Sequence, residues 1–130
     1  MNAPATSAID QAEIQRAAQT YLDGLYEGDA DKLASVFHPT SALTYEQDGK
    51  LVVLPRDQWL KAVRERPSPK SKGQTRHDEI LQIDQSGPTT AFVRLKCAVP
   101  PRFFTDYLSF LKIDGRWMVA QKIFATETRS

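Results

Sequence analysis

The dipeptide Asp114-Gly115 separates two long, strand-like segments near the C-terminus, and this feature most limits how the chain can fold. Asp-Gly tolerates positive φ at both central positions of a tight turn, so it predicts a hairpin between strands at 103–114 and 116–126. A two-residue turn also fixes which residues pair across the hairpin. Regular pairing places Tyr107 opposite Lys122 and Leu111 opposite Met118.

Side chains of a strand alternate between two faces, so this register assigns every residue of the hairpin to a face. Both faces are strongly apolar, whereas a sheet with one covered face alternates apolar with polar residues. A second covering is therefore expected, by another subunit or by helices. A homodimer through the sheet is the economical explanation, and a large monomeric core is the alternative. The first face carries Tyr107, Ser109, Leu111, Met118, Ala120, Lys122 and Phe124, and the second carries Asp106, Leu108, Phe110, Trp117, Val119 and Ile123. The sequence leaves open which face lines the pocket; the first is one candidate lining, and the second, with Phe110, is a candidate dimer contact.

Helical patterns dominate the first half of the chain. Ser7 can cap a helix with apolar residues at helical spacing, and Gly28 suits the left-handed residue after its end. Asp29 then caps a shorter helix that we expect His38-Pro39 to close, and Pro55 opens a third helix. Asp48-Gly49 predicts another hairpin within 42–54, and further strands are predicted at 76–84 and 89–99. Early helices and late antiparallel strands predict an α+β fold in which one sheet packs on the helices.

The composition fits one domain over residues 7–128, preceded by a flexible tail of residues 1–6. Seventeen Lys and Arg against sixteen Asp and Glu give no field that would favour nucleic acid, so no nucleic-acid partner is expected. The longest apolar runs are strand-sized, so we expect no membrane association. Cys97 is the single cysteine of the sequence and excludes an intramolecular disulfide. These features together predict a cytoplasmic protein.

Three C-terminal strings carry a resemblance to a known superfamily. They are Phe104-Thr105-Asp106-Tyr107-Leu108, Lys112-Ile113-Asp114-Gly115-Arg116-Trp117 and Lys122-Ile123-Phe124, and they follow the helical segments described above. The chain resembles the nuclear-transport-factor-2-like superfamily, within it the lumazine-binding and SnoaL-like groups. The resemblance implies a cone-shaped, curved antiparallel sheet wrapped around N-terminal helices, an apolar pocket at the open end, and homodimers through the sheet. The superfamily includes isomerases, dehydratases, cyclases and non-catalytic binders, so it does not select a reaction.

The sequence favours binding of a small apolar or aromatic ligand, with aromatic walls and a few orienting polar groups. An isomerase, dehydratase or cyclase that uses His38 or His77 with a carboxylate is one alternative, and a protein–protein interaction module is another. Neither histidine has a spacing typical of metal ligands, so we expect no metal and no cofactor. The predicted ligand-binding residues are Tyr21, Phe37, His38, Trp59, His77, Tyr107, Lys122 and Phe124.

Overall fold

The computed structural model describes residues 7–129. The predicted tail of residues 1–6 lies outside the described residues. The described part of the chain begins with two helices, continues with two strands and a third helix, and ends with four strands. The elements are α1 (Ala8–Glu27), α2 (Ala30–Val36), β1 (Phe37–Gln47), β2 (Lys50–Pro55), α3 (Arg56–Glu65), β3 (Glu79–Ser86), β4 (Thr90–Val99), β5 (Arg102–Ile113) and β6 (Arg116–Thr128).

The helix ends follow local chemistry, as the sequence predicts. The Ser7 hydroxyl accepts a hydrogen bond from the backbone N–H of Asp10 at 3.0 Å, which caps α1. Gly28 ends that helix with a φ of 69°, a left-handed conformation that glycine adopts without strain. The Asp29 carboxylate accepts from the N–H of Lys32 at 3.1 Å and caps α2. Both junctions are therefore confirmed.

The end of α2 differs from the prediction. The helix stops at Val36, and His38-Pro39 lies inside β1 instead of closing the helix. Proline lacks a backbone N–H and is tolerated in a strand only where no ladder bond is needed. The pairing of β1 with β6 is irregular between Phe37 and Ala42, so Pro39 occupies a stretch where its missing donor breaks no regular ladder.

The six strands form one sheet in the order β2-β1-β6-β5-β4-β3. All neighbouring pairs are antiparallel except β1 and β6, which are parallel. Asp48-Gly49 and Asp114-Gly115 make the predicted tight turns with positive φ. Helix α1 packs on β3, β4 and β6, and α3 packs on β1 and β2. The result is the expected α+β fold, with a curved sheet around the helices. No helix within residues 7–129 has the length and apolarity to cross a membrane.

A β-bulge in β6 changes the predicted register of the last hairpin. Ser109 pairs with Gln121 while Phe110 pairs with Val119, so Ala120 is an extra residue on β6. The predicted pairing holds from the turn to Phe110 and is wrong beyond it: Tyr107 lies opposite Ile123, and Lys122 lies opposite Leu108. One extra residue exchanges the two faces of a strand. Lys122 therefore shares a face with Asp106 instead of Tyr107.

The face that carries Asp106, Phe110 and Trp117 points toward the helices. Asp106 is fully buried, and Phe110 is 1% exposed in the core of the single chain. The candidate dimer contact through Phe110 is therefore wrong, because the core of the single chain already covers these side chains. Trp117 packs inward as well, and its indole N–H donates to the Asp10 carboxylate at 3.0 Å.

Asp10 links the first turn of α1 to the sheet, and this contact depends on pH. Its carboxylate accepts from Trp117, from Lys112 at 3.1 Å and from Gln85 at 3.1 Å. These donors, Trp117 first, lower the Asp10 pKa from 3.8 to about 2. Because the folded-state pKa lies below the unfolded value, the carboxylate stabilises the fold above pH 3.8. The stabilisation disappears as the pH falls from there toward 2.

We therefore expect Asp10→Asn to lower the free energy of unfolding at neutral pH, with a deficit that shrinks in acid as the wild-type Asp10 takes up its proton. Urea denaturation at several pH values from about 7 down to about 1.5 would measure the effect, because this range encloses the interval from 3.8 to about 2 over which the stabilisation is lost. Asp84→Asn, at an exposed position of β3, is the matched control. A deficit that stays constant across the whole series would contradict the assignment.

Candidate functional site

A cavity of about 440 Å³ opens between α3 and the inner face of the sheet. Four aromatic side chains line it, from β1, α3, β5 and β6, and aliphatic residues fill the spaces between them. The Tyr45 and Phe124 rings are 4.8 Å apart and the Phe104 and Phe124 rings 5.6 Å apart, measured between centroids. The main apolar lining residues are Leu25, Leu43, Tyr45, Leu54, Trp59, Ala62, Val99, Phe104 and Phe124.

Lys122 supplies a buried ammonium at the inner end of this cavity. The residue is 5% exposed, and its Nζ lies 3.7 Å from Oδ2 of Asp106. The ammonium is also 5.1 Å from the ring centroids of Tyr21 and Trp59 and 4.9 Å from that of Phe124. Cation–π contacts and one carboxylate therefore replace the water that a lysine normally requires.

Lys122 belongs to a group of buried polar residues at the inner end of the cavity. We name this group the Asp106 cluster: Tyr21, Cys97, Asp106 and Lys122. Oδ2 of Asp106 accepts a short hydrogen bond from the Tyr21 hydroxyl and a second from the Cys97 thiol at 3.3 Å. Oδ1 of the same carboxyl has no hydrogen-bond partner among the described residues. Burial, and next the charge of Asp106, raise the pKa of Tyr21 and of Cys97 well above their usual values. Both groups therefore remain protonated donors at neutral pH.

Two arginines lie at the outer part of the cavity. Arg66 directly follows α3 and is half-buried, and Arg102 begins β5. Burial lowers the Arg66 pKa, and the positive charge of Arg102 lowers it further. Glu46 is the only carboxylate among the described lining residues. Its Oε2 accepts from the Gly49 N–H at 2.6 Å, a bond within the adjacent turn.

Five of the eight residues that the sequence singles out lie in or directly behind the cavity. Trp59, Lys122 and Phe124 line it. Tyr21 and Phe37 are fully buried behind Trp59, with ring centroids 6.4 Å and 4.8 Å from the Trp59 ring. These two support the wall and have no surface in the cavity.

The other three predicted residues lie elsewhere. Nδ1 of His38 is 2.8 Å from the Thr40 hydroxyl, at a separate shallow cleft. His77 precedes β3, which begins at Glu79, and its ring packs 5.1 Å from that of Phe103. Tyr107 is 43% exposed on the outer face of the sheet, because it alternates with the inward Asp106 and Leu108 of β5. The bulge in β6 turns its predicted partner Lys122 to the opposite face. The structure therefore does not bring either histidine or Tyr107 to this cavity.

Sequence reasoning missed Asp106, Arg66, Arg102, Tyr45 and Phe104 as components of the site. Asp106 carried a signal in the sequence. It shares a strand face with the apolar Leu108 and Phe110, and a carboxylate on such a face needs an internal partner. The two arginines carried none, since they flank α3 and β5 at positions typical of solvated charges. Across residues 7–129, no group of three or more His, Cys, Asp and Glu side chains is placed to hold a metal ion.

Several solved structures share this architecture. An NTF2-like protein of unknown function from Shewanella baltica OS155 has a TM-score of 0.82 at 22% identity, covering 95% of this chain and 99% of its own. One from Silicibacter pomeroyi DSS-3 gives 0.81 at 17% identity, covering 94% and 99%. A ketosteroid isomerase-like protein from Erwinia carotovora atroseptica gives 0.72 at 18% identity, covering 95% and 100%. The fold is therefore that of the nuclear-transport-factor-2-like superfamily, as the resemblance implied.

Within that superfamily the sequence match is more specific. The model of the family described as "Putative lumazine-binding" matches residues 9–125, and this chain belongs to that family. Among curated proteins, the aldolase FrzH of Cladobotryum sp. is 25% identical over 114 residues, which cover 86% of this chain and 87% of that protein.

The Asp106 cluster generates a stability prediction. Asp106→Leu removes the one carboxylate near a buried ammonium, and losing one partner of such a pair costs about 3–5 kcal/mol. Adding Lys122→Met removes the stranded charge, so the double variant should recover a large part of that loss. Urea denaturation of the wild type and both variants would measure it.

Lys96→Met in the Asp106→Leu background is the matched control, because Lys96 is an exposed lysine of the adjacent strand β4. It should recover nothing. Equal recovery by Lys96→Met and Lys122→Met would show that Asp106 does not compensate the Lys122 charge.

Proposed function

We propose that this protein binds a small molecule with an apolar or aromatic body in the cavity between α3 and the sheet. The observation that carries the proposal is a concave, aromatic-walled space of about 440 Å³ with one buried ammonium at its inner end. Ligand sites are typically clefts of about 300–1,000 Å³ with apolar walls and a few placed polar groups. The family description, which names lumazine binding, supports the same class of function.

In this proposal Trp59 and Phe124 contact the body of the ligand, and Lys122 orients it. The ammonium carries three N–H donors, while its carboxylate neighbour is 3.7 Å away, so donors remain for a carbonyl oxygen in the cavity. Tyr21 and Phe37 hold the wall from behind. The proposal leaves out His38, His77 and Tyr107, because they lie outside the cavity. A cytoplasmic location, predicted from the single cysteine, stays part of it.

A neutral fluorescent dye can test the site directly. We expect N-phenylnaphthylamine to bind the wild type with increased fluorescence, and Ala62→Phe, which fills the cavity from α3, to weaken binding by about ten-fold or more, equivalent to 1.4 kcal/mol. Lys61→Phe is the matched control, because it adds the same ring at an exposed position of the same helix outside the cavity. Equal binding by both variants would exclude this cavity as the site.

We further propose that two copies associate through the outer face of the sheet. Tyr107 lies opposite Ile123, Ile123 opposite Thr44, and Thr44 opposite Val53, so a row of outward residues crosses β5, β6, β1 and β2. Val53, Ile123 and Tyr107 are 55%, 52% and 43% exposed in the single chain. An exposed apolar row on a broad sheet face is typical of an interface, which supports the homodimer.

Ile123→Asp should convert the dimer to monomers, because it places a charge within this row. Native mass spectrometry would count the subunits and, in the same spectrum, reveal any small molecule that copurifies with the protein. Asp84→Ser, an exposed substitution on β3 outside the row, should leave the dimer intact. A dimer that persists in Ile123→Asp would exclude this face, and an empty wild-type monomer would favour the interaction-module alternative.

The second candidate is an enzyme that enolises a carbonyl compound. The observation that favours it is that Lys122 and Glu46 line the same cavity, one as a buried cation and the other as its only described carboxylate. A fixed cation stabilises negative charge on an enolate oxygen, and a carboxylate can remove the α-hydrogen. The names of the aldolase and the ketosteroid isomerase-like relative support it. Exchange of the α-hydrogens of acetophenone in deuterated water, lost in Lys122→Met, would distinguish such an enzyme from a binder.

A further inference from the structure

We infer that the ligand of this cavity carries an anionic group that Arg66 and Arg102 hold at the mouth, while its apolar body lies against Trp59 and Phe124. This inference rests on the proposed binding function and specifies the chemical class of the ligand. An organic anion such as an aromatic carboxylate or sulfonate has the required chemistry.

The charges of the cavity lining do not balance. Lys122, Arg66 and Arg102 contribute three cations, and Glu46 is the single described lining carboxylate. Lys122 is compensated from behind by Asp106, and Glu46 is hydrogen-bonded to its own turn at Gly49. Three cations minus these two carboxylates leave a net positive charge, and it lies at the two arginines because neither forms an ion pair with Glu46.

Neither arginine has an acidic partner. The ion pairs of residues 7–129 include neither Arg66 nor Arg102. The Arg102 guanidinium lies 5.8 Å from the Phe104 ring, on the cavity wall. By contrast, Arg64, two residues before Arg66, pairs with Asp31 at 3.6 Å and lies outside the cavity. Within residues 7–129, the two arginines of the cavity lining thus have no carboxylate partner, although Arg64 on the same helix has one.

The environment of Arg66 makes this arrangement costly without an anion. The residue is half-buried at the end of α3, and its pKa is lowered by burial and by the charge of Arg102. A like charge nearby and partial loss of water both disfavour the guanidinium. An anion between the two side chains would relieve both effects, and guanidinium groups bind carboxylates and related oxyanions through paired N–H donors.

The inner end of the cavity is less suited to the anion. The Lys122 ammonium already has Asp106 and three aromatic rings around it. An anion there would approach the Asp106 carboxyl, which repels it. A ligand with its charge at the mouth and a neutral hydrogen-bond acceptor toward Lys122 satisfies both ends of the cavity.

Two related dyes test the inference. Anilinonaphthalene sulfonate and N-phenylnaphthylamine share the same aromatic body, but only the first carries a charge. We expect the double variant Arg66→Gln/Arg102→Gln to bind the sulfonate about ten-fold or more weakly, since hydrogen bonds to charged groups are the stronger class. Its affinity for the neutral dye should stay within about two-fold of wild type, because the apolar walls are unchanged.

The matched control is Arg64→Gln/Arg129→Gln, which removes the same total charge from exposed arginines that are paired with Asp31 and Glu127. It should leave the affinity for both dyes unchanged. In the wild type, added sodium chloride should weaken the binding of the sulfonate dye and leave the binding of the neutral dye unchanged. This second measurement needs no variant to fold.

The outcomes separate the inference from the proposed function. If wild type binds neither dye, the binding proposal fails and this inference fails with it. If the wild type binds both dyes and the Arg66→Gln/Arg102→Gln variant binds both with unchanged affinity, the cavity binds ligands and the anion assignment alone is wrong. The assignment would also be overturned if that variant lost affinity for both dyes equally, or if the control variant lost affinity for the sulfonate.

Discussion

One extra residue in β6, Ala120, decides which side chains enter the core and the cavity. Before it, Trp117 and Val119 point inward; after it, Lys122 and Phe124 do so. Without the bulge, Lys122 would lie on the outer face and the buried Asp106 would have no cation beside it. A carboxylate deep in the core is tolerated only with partners, so the bulge and Asp106 depend on each other.

The inner wall of the cavity is stiffened from behind. Phe37 and Tyr21 pack against Trp59, and Tyr21 also donates to Asp106. Each contact fixes an element that the others need: α1 through Tyr21, α3 through Trp59 and the sheet through Asp106. A wall held by three elements keeps its shape when empty, and for the proposed binding function this lowers the entropic cost of binding. The cavity is thus a product of core packing, and its polar end is part of that core.

Local chemistry made the fold predictable, and the absence of a local signal made the site difficult to predict. Ser7, Gly28 and the two Asp-Gly turns act within a few residues, so sequence reasoning located both ends of α1 and the two hairpins. The bulge at Ala120 has no such mark, because Met118 and Val119 are both apolar and fit either face. Regular alternation therefore paired Lys122 with Tyr107. The position of His38 was predicted wrongly for a related reason. A His-Pro dipeptide often ends a helix, and only the irregular pairing of β1 allows Pro39 to lie in a strand.

The same bulge that turns Lys122 inward turns Ile123 outward, beside Tyr107 and in line with Val53. The cavity and the outer apolar row are therefore set by one backbone feature, and a change of register would empty the cavity of its ammonium and bury an isoleucine in its place. The inner charge is balanced by Asp106, whereas the arginines at the mouth belong to other elements and are not tied to the bulge. The fold thus fixes the inner end of the cavity, and in the proposed binding function the arginines at the mouth determine which ligand binds.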